Sequence, residues 1–136
     1  MKTMFLHYNI NVDRSTNRIP KEDFMVENIY FKVLPAGEGK TRWLVEKAFK
    51  EINNGKKVVF LSKNSTEFEK FSMYYRTLFA MYCPVIHAST SENVPEESIV
   101  LIDELAIKLT KENINLNLLK AKCSAIFVTV EGKTID

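Results

Sequence analysis

The chain reads as a three-layer α/β/α sandwich built on a mostly parallel sheet of about five strands. Short apolar runs alternate with longer stretches of helical spacing. Those runs are apolar at consecutive positions, the mark of strands buried on both faces, and turn-forming residues separate the units. A length of 136 residues suits one domain.

Taken in order, Met4 to Val12 has the composition of a strand, and the polar stretch that follows, to about Glu27, reads as loop or linker. Residues 1–27 are therefore assigned to an N-terminal strand and linker, and residues 28–136 to a single minimal domain. Ile29 to Leu34 is an apolar run of strand length closed by Pro35. From Thr41 to Asn54, Leu44, Val45, Ala48, Phe49 and Ile52 recur on one helical face, and Gly55 stands where a helix stops. Val58 to Leu61 is a buried-type strand. Asn64-Ser65-Thr66-Glu67 resembles a capping box, opening a helix whose apolar stripe is Phe68, Phe71, Tyr75, Leu78, Phe79 and Tyr82, with Pro84 ending it. Val85 to Ala88 forms a further strand, Ser89 to Ser98 a polar loop, and Ile99 to Ile102 a core strand. Thr110 to Lys122 is expected to be one helix with Ile114, Leu118 and Ala121 inward, before a last strand over Ala125 to Val130.

Composition excludes several classes. The apolar fraction of 46% and charged fraction of 26% are those of a globular protein, which argues against disorder. A formal charge of +2 is too small to argue for nucleic acid or membrane by itself. No run approaches the length of a membrane span, so no membrane partner is expected. Cys83 and Cys123 make neither a disulfide framework nor a metal site, which points to a reducing, cytoplasmic setting. His7 and His87 have no second ligand at metal-binding spacing.

Half of the chain's four glycines, Gly37 and Gly39, fall just before Lys40-Thr41. The stretch Pro35-Ala36-Gly37-Glu38-Gly39-Lys40-Thr41, followed by Arg42, lies where a strand hands over to a helix. That context suits a phosphate-binding loop. Glycines let successive N–H groups converge on phosphate oxygens, and the helix N-terminus adds its positive dipole end. Lys40 would reach the β- and γ-phosphates of ATP, and the Thr41 hydroxyl would ligate Mg²⁺. A glycine-containing turn with a solvated lysine is the bland alternative. Leu34 stands where the first glycine of G-x-x-x-x-G-K-[ST] would fall, and Glu38 adds a carboxylate. Downstream, Ile99-Val100-Leu101-Ile102 ends in Asp103-Glu104. At the carboxyl end of a parallel strand, Asp103 would hold the Mg²⁺ through a water and Glu104 would position the attacking water.

With both motifs on one chain, residues 28–130 resemble a P-loop NTPase, closest to the first RecA-like domain of superfamily 2 helicases. Leu34 to Thr41 is similar to motif I of that family, and Asp103-Glu104-Leu105-Ala106 to its D-E-x-x box. Val58 to Asn64 sits where the motif Ia strand falls, without the usual Pro-Thr-Arg, and Thr129 is a candidate sensor. The resemblance implies ATP and Mg²⁺ as ligands and DNA or RNA as a partner. It also implies a second protein or a second copy, because the family completes its ATP site with arginines from another domain and no arginine follows Arg76.

Two other functions fit parts of the pattern. A nucleoside kinase would use the same loop, although the zinc-binding cysteines of thymidine kinases are missing. A degenerate loop, with Leu34 and Glu38 weakening nucleotide binding, would leave a non-catalytic module that regulates a partner. Elsewhere, Trp43 reads as core packing. Lys70, Tyr74, Tyr75, Arg76 and Tyr82 could form an aromatic-basic surface for single strands, but their helical spacing favours the core. Lys56-Lys57 reads as a solvated loop.

Overall fold

The computed structural model describes residues 23–35 and 39–132. The strand expected over Met4 to Val12 lies outside them. The strands are β1 (Phe24–Val26), β2 (Ile29–Leu34), β3 (Val58–Leu61), β4 (Ile86–Ala88), β5 (Ile99–Ile102) and β6 (Ala125–Glu131). The helices are α1 (Lys40–Asn53), α2 (Ser65–Phe79), α3 (Leu105–Lys111) and α4 (Leu116–Lys122). A turn of 3₁₀ helix covers Ser91–Asn93.

Among the described residues the strands form one six-stranded sheet in the order β1-β2-β6-β5-β3-β4. Only β1 is antiparallel; the other neighbours pair parallel. Val58 to Leu61 and Ile99 to Ile102 are buried at every position, as strands covered on both faces must be. Their alternate side chains feed two cores. On one face Val59, Leu61, Val100, Ile102, Ile126 and Val128 meet Leu105, Leu109, Leu116 and Leu119 of α3 and α4. On the other, Val58, Phe60, Ile99, Leu101 and Phe127 meet Leu44, Val45 and Ala48 of α1 and Phe71 and Tyr75 of α2. The result is a three-layer α/β/α sandwich on a mostly parallel sheet.

Three local expectations need correction. The loop assigned up to Glu27 ends instead in β1, which turns back on β2 through Glu27 at φ 54. Phe24 stacks on Phe31 with ring centroids 4.4 Å apart. Asn28 fastens this hairpin to the sheet, its amide donating to the carbonyls of Lys120 and Cys123 at 3.2 and 2.9 Å. The single helix over 110–122 is two helices. Chain leaving β5 coils at once into α3, stops at Asn113 with φ 52, and restarts where the Asn115 side chain accepts from Leu118 N at 3.0 Å. The buried face is consequently Ile114, Leu116 and Leu119, while Leu118 is half-buried and Ala121 exposed. Finally, α2 ends at Phe79, with Ala80 in the left-handed region, before Pro84 is reached. Its inward stripe is Phe68, Phe71, Tyr75 and Phe79; Tyr82 lies beyond the helix and is 81% exposed.

The cap of α2 behaves as half a capping box. Asn64 Oδ1 accepts from Thr66 N at 2.9 Å, but the backbone N–H of Asn64 donates to Ser62 Oγ at 3.0 Å. Glu67 is thereby released for another partner. An Asn64→Ala variant is expected to lose about 1 kcal/mol of stability. Urea unfolding measures this, and an unchanged midpoint would contradict the capping role. Both cysteines are buried, and burial pushes the Cys123 thiol up from its ordinary pKa, against a smaller downward pull from Lys122.

Candidate functional site

Because β2, β6 and β5 run parallel as neighbours, their carboxyl ends open along one edge of the sheet. The chain leaves β2 at Leu34 and enters α1 at Lys40. Ala36, Gly37 and Glu38 lie outside the described residues, so the structure bears on this loop only at Pro35 and Gly39. Pro35 is exposed. Gly39 caps α1 at φ 68, a conformation in which a side chain would be strained, and its carbonyl accepts the first helical bond from Trp43 N at 3.0 Å.

Lys40 and Thr41 therefore occupy the first turn of α1, over the edge where β5 ends. The Lys40 ammonium donates to Glu104 Oε1 at 3.2 Å, and the Thr41 hydroxyl donates to Asp103 Oδ2 at 3.4 Å. Two motifs more than sixty residues apart thus meet pairwise. The strand between them supplies a third contact. Thr129, fully buried on β6, donates its hydroxyl proton to Asp103 Oδ1 at 2.5 Å and accepts from Glu104 N at 2.9 Å.

Glu104 sits at φ 51 and ψ 62, in the left-handed region. For a residue with a side chain this costs on the order of 1–3 kcal/mol and persists only where surrounding contacts over-determine it. It is the residue at which the chain turns out of β5 into α3. That turn sends the two adjacent carboxylates different ways, Asp103 toward Thr41 and Thr129 and Glu104 toward Lys40.

One participant was not expected. Lys108 is 1% exposed, donates to the Asp103 backbone carbonyl at 3.1 Å, and meets Glu67 Oε1 of α2 at 2.8 Å. The latter is a charge contact whose alignment falls short of a hydrogen bond. The signal in the sequence is a lysine at helical spacing from Leu105 and Leu109, on the apolar face. A helix beginning at Thr110, as periodicity suggests, leaves this lysine outside it; the helix begins at Leu105.

Other expected residues stand apart from this cluster. Arg42 is exposed and pairs with Glu46 at 3.7 Å along α1, a contact worth little. Trp43 packs edge-on against Phe127 at 6.0 Å, as core packing implies, with the Lys47 ammonium 5.6 Å from its ring. Tyr75 is buried. Lys70, Met73, Tyr74, Thr77 and Leu78 instead line an open cavity of about 490 Å³ on the outer side of α2. His87 stacks on Phe68 at 4.8 Å and bonds Ser62 O at 2.8 Å, a structural role; His7 lies outside the described residues.

Among the described residues there is no group of three or more His, Cys, Asp or Glu side chains able to hold a metal ion. A hydroxyl and a carboxylate oxygen, Thr41 Oγ1 and Asp103 Oδ2, do lie close together. Hard oxygen donors of this kind suit Mg²⁺, which is commonly held by one or two protein oxygens together with substrate phosphates and waters. Among the described residues, no helix is long and apolar enough to cross a membrane. No protein-family model matches the chain, and no curated protein matches it in sequence.

Proposed function

We propose that this domain binds ATP with Mg²⁺ at the carboxyl ends of β2, β6 and β5 and hydrolyses it within a nucleic-acid-processing assembly. The observation that carries the reading is the double pairing of Lys40 with Glu104 and Thr41 with Asp103. A polar cluster of this composition, where a glycine loop enters a helix, is explained better by a bound polyphosphate than by packing. In the sheet the strand bearing Thr129 lies between the strand that precedes Lys40 and the strand that ends at Asp103, which brings the Thr129 hydroxyl to the same edge.

In this reading the Lys40 ammonium leaves Glu104 for the β- and γ-phosphate oxygens and stabilises the charge that develops there. Thr41 and Asp103 would hold the Mg²⁺, which when bound would neutralise phosphate charge. Glu104, freed from Lys40, orients the attacking water and accepts its proton. Thr129 holds the Asp103 carboxylate in place through its hydroxyl. Among the described arginines, Arg42 faces Glu46 and Arg76 bonds the Ser72 carbonyl at 3.4 Å. The arginine that accelerates such reactions about 10³–10⁵-fold is assigned to a partner or a second copy.

The test is calorimetric titration with ATP in Mg²⁺ and in EDTA, followed by phosphate release with and without DNA or RNA. Mg²⁺-dependent heat and turnover stimulated by polynucleotide are expected; absence of binding in either condition would sink the proposal. A second reading, a non-catalytic regulatory module, draws on the Lys40–Glu104 pair itself. The same contact would hold the lysine away from phosphates. Binding without turnover under every condition would favour it.

A further inference from the structure

We propose that Lys108 is a positioning residue, which clamps the peptide between Asp103 and Glu104 and so aims the Glu104 carboxylate; the proposal rests on the ATPase reading of this site. The peptide in question is held at both ends. Its carbonyl, that of Asp103, accepts from the Lys108 ammonium at 3.1 Å, and its N–H, that of Glu104, donates to Thr129 Oγ1 at 2.9 Å. Glu104 is the residue forced into the left-handed region, so the orientation of this peptide decides where its carboxylate points.

Packing alone does not call for a lysine here. Lys108 shares the inward face of α3 with Leu105 and Leu109, and an apolar side chain of similar length would fill the space without desolvating a charge. The ammonium is retained beside two acceptors. One is the Asp103 carbonyl, and the other is Glu67 in the first turn of α2, whose side chain is not drawn back to the cap because the Asn64 N–H donates to Ser62 Oγ. Lys108 therefore ties three pieces together: the turn out of β5, the helix α3, and the start of α2 after β3. Among the described residues, removing it would leave Thr129 as the only side chain gripping the peptide.

The discriminating variant replaces the whole pair, Lys108→Met with Glu67→Met. Swapping a buried ion pair for apolar side chains of similar length commonly preserves stability, whereas Lys108→Met alone strands Glu67. The expected result is a double variant that melts close to the unsubstituted protein. Its Glu104 amide, followed by NMR hydrogen exchange, exchanges about tenfold faster or more, the change expected when a hydrogen bond to a charged group is lost, while Leu101 and Ile102 stay protected. In parallel, kcat for Mg²⁺-ATP falls by about tenfold with KM changed less than about threefold, since phosphate binding is left to the first turn of α1.

Unchanged exchange at Glu104, or turnover equal to that of the unsubstituted protein, would overturn the proposal. Should the double variant fail to fold, Glu67→Gln keeps Lys108 and the side-chain shape while weakening its anchor. Exchange at Glu104 about threefold faster is then expected, and no change would overturn the idea. Failure of the ATPase reading shows separately, as absent Mg²⁺-ATP binding by the unsubstituted protein. The exchange measurement still decides the clamp in that case.

Discussion

A Lys40→Ala variant is expected to bind Mg²⁺-ATP at least about a hundredfold more weakly while remaining folded, because it loses charge-assisted hydrogen bonds worth about 1.5–3 kcal/mol each. The lysine is held in the first turn of α1, where its ammonium and the helix N-terminus would act together on an anionic ligand. Its contact in the structure is Glu104, whose side chain is more than a third exposed. That pair contributes at most about 1 kcal/mol to folding, so unfolding should barely shift. Titration calorimetry beside a urea unfolding curve makes the comparison. Equal affinities for the two proteins would remove Lys40 from the site; a large loss of stability would mean that the variant had lost its fold.

Glu104→Gln is expected to have the opposite profile. It should bind Mg²⁺-ATP as well as the unsubstituted protein or better, since Lys40 no longer has a competing carboxylate. Turnover should fall by about 10²–10⁴-fold, the range associated with losing a general base. Gln can keep the left-handed turn and a hydrogen bond toward Lys40, so geometry is disturbed little. Phosphate release in the presence of polynucleotide measures the effect. Turnover within a factor of about two of the unsubstituted protein would exclude Glu104 from proton transfer and leave it as a partner of Lys40 alone.

Much of this candidate site is legible in the sequence. Lys40, Thr41, Asp103 and Glu104 stand out by residue type and by following an apolar run, whereas Thr129 enters only through the family resemblance. The structure brings all five within hydrogen-bonding contact of one another as a connected set. Such residues can be found because a parallel strand hands its chemistry to the loop at its carboxyl end, and a strand end is visible wherever an apolar run stops. Lys108 was not legible. A lysine in the sequence looks like solvent-facing charge, and only the early start of α3 turns this one inward.

The broken helix and the β1 hairpin fail for the same reason. Periodicity over 110–122 is satisfied by one helix or by two, and local sequence cannot measure how far the chain must travel between β5 and β6. Packing against the sheet decided it, with Ile114, Leu116 and Leu119 inward. Phe24 to Val26 is too short to announce a strand, and becomes one because Phe31 offers a ring to stack on.

By itself, then, the sequence determined the layers and the candidate chemistry. Fully apolar strands require cover on both faces, and a glycine-lysine-threonine run between a strand and a helix has few uses. The half-and-half placement of its glycines stands as the most informative feature of the composition. Tertiary structure alone decided which strand lies between the two motifs, and therefore that Thr129 grips both Asp103 and Glu104. Strand order depends on crossovers between segments far apart in the chain, and those are chosen by the total burial of two cores, a quantity that no local stretch of residues contains.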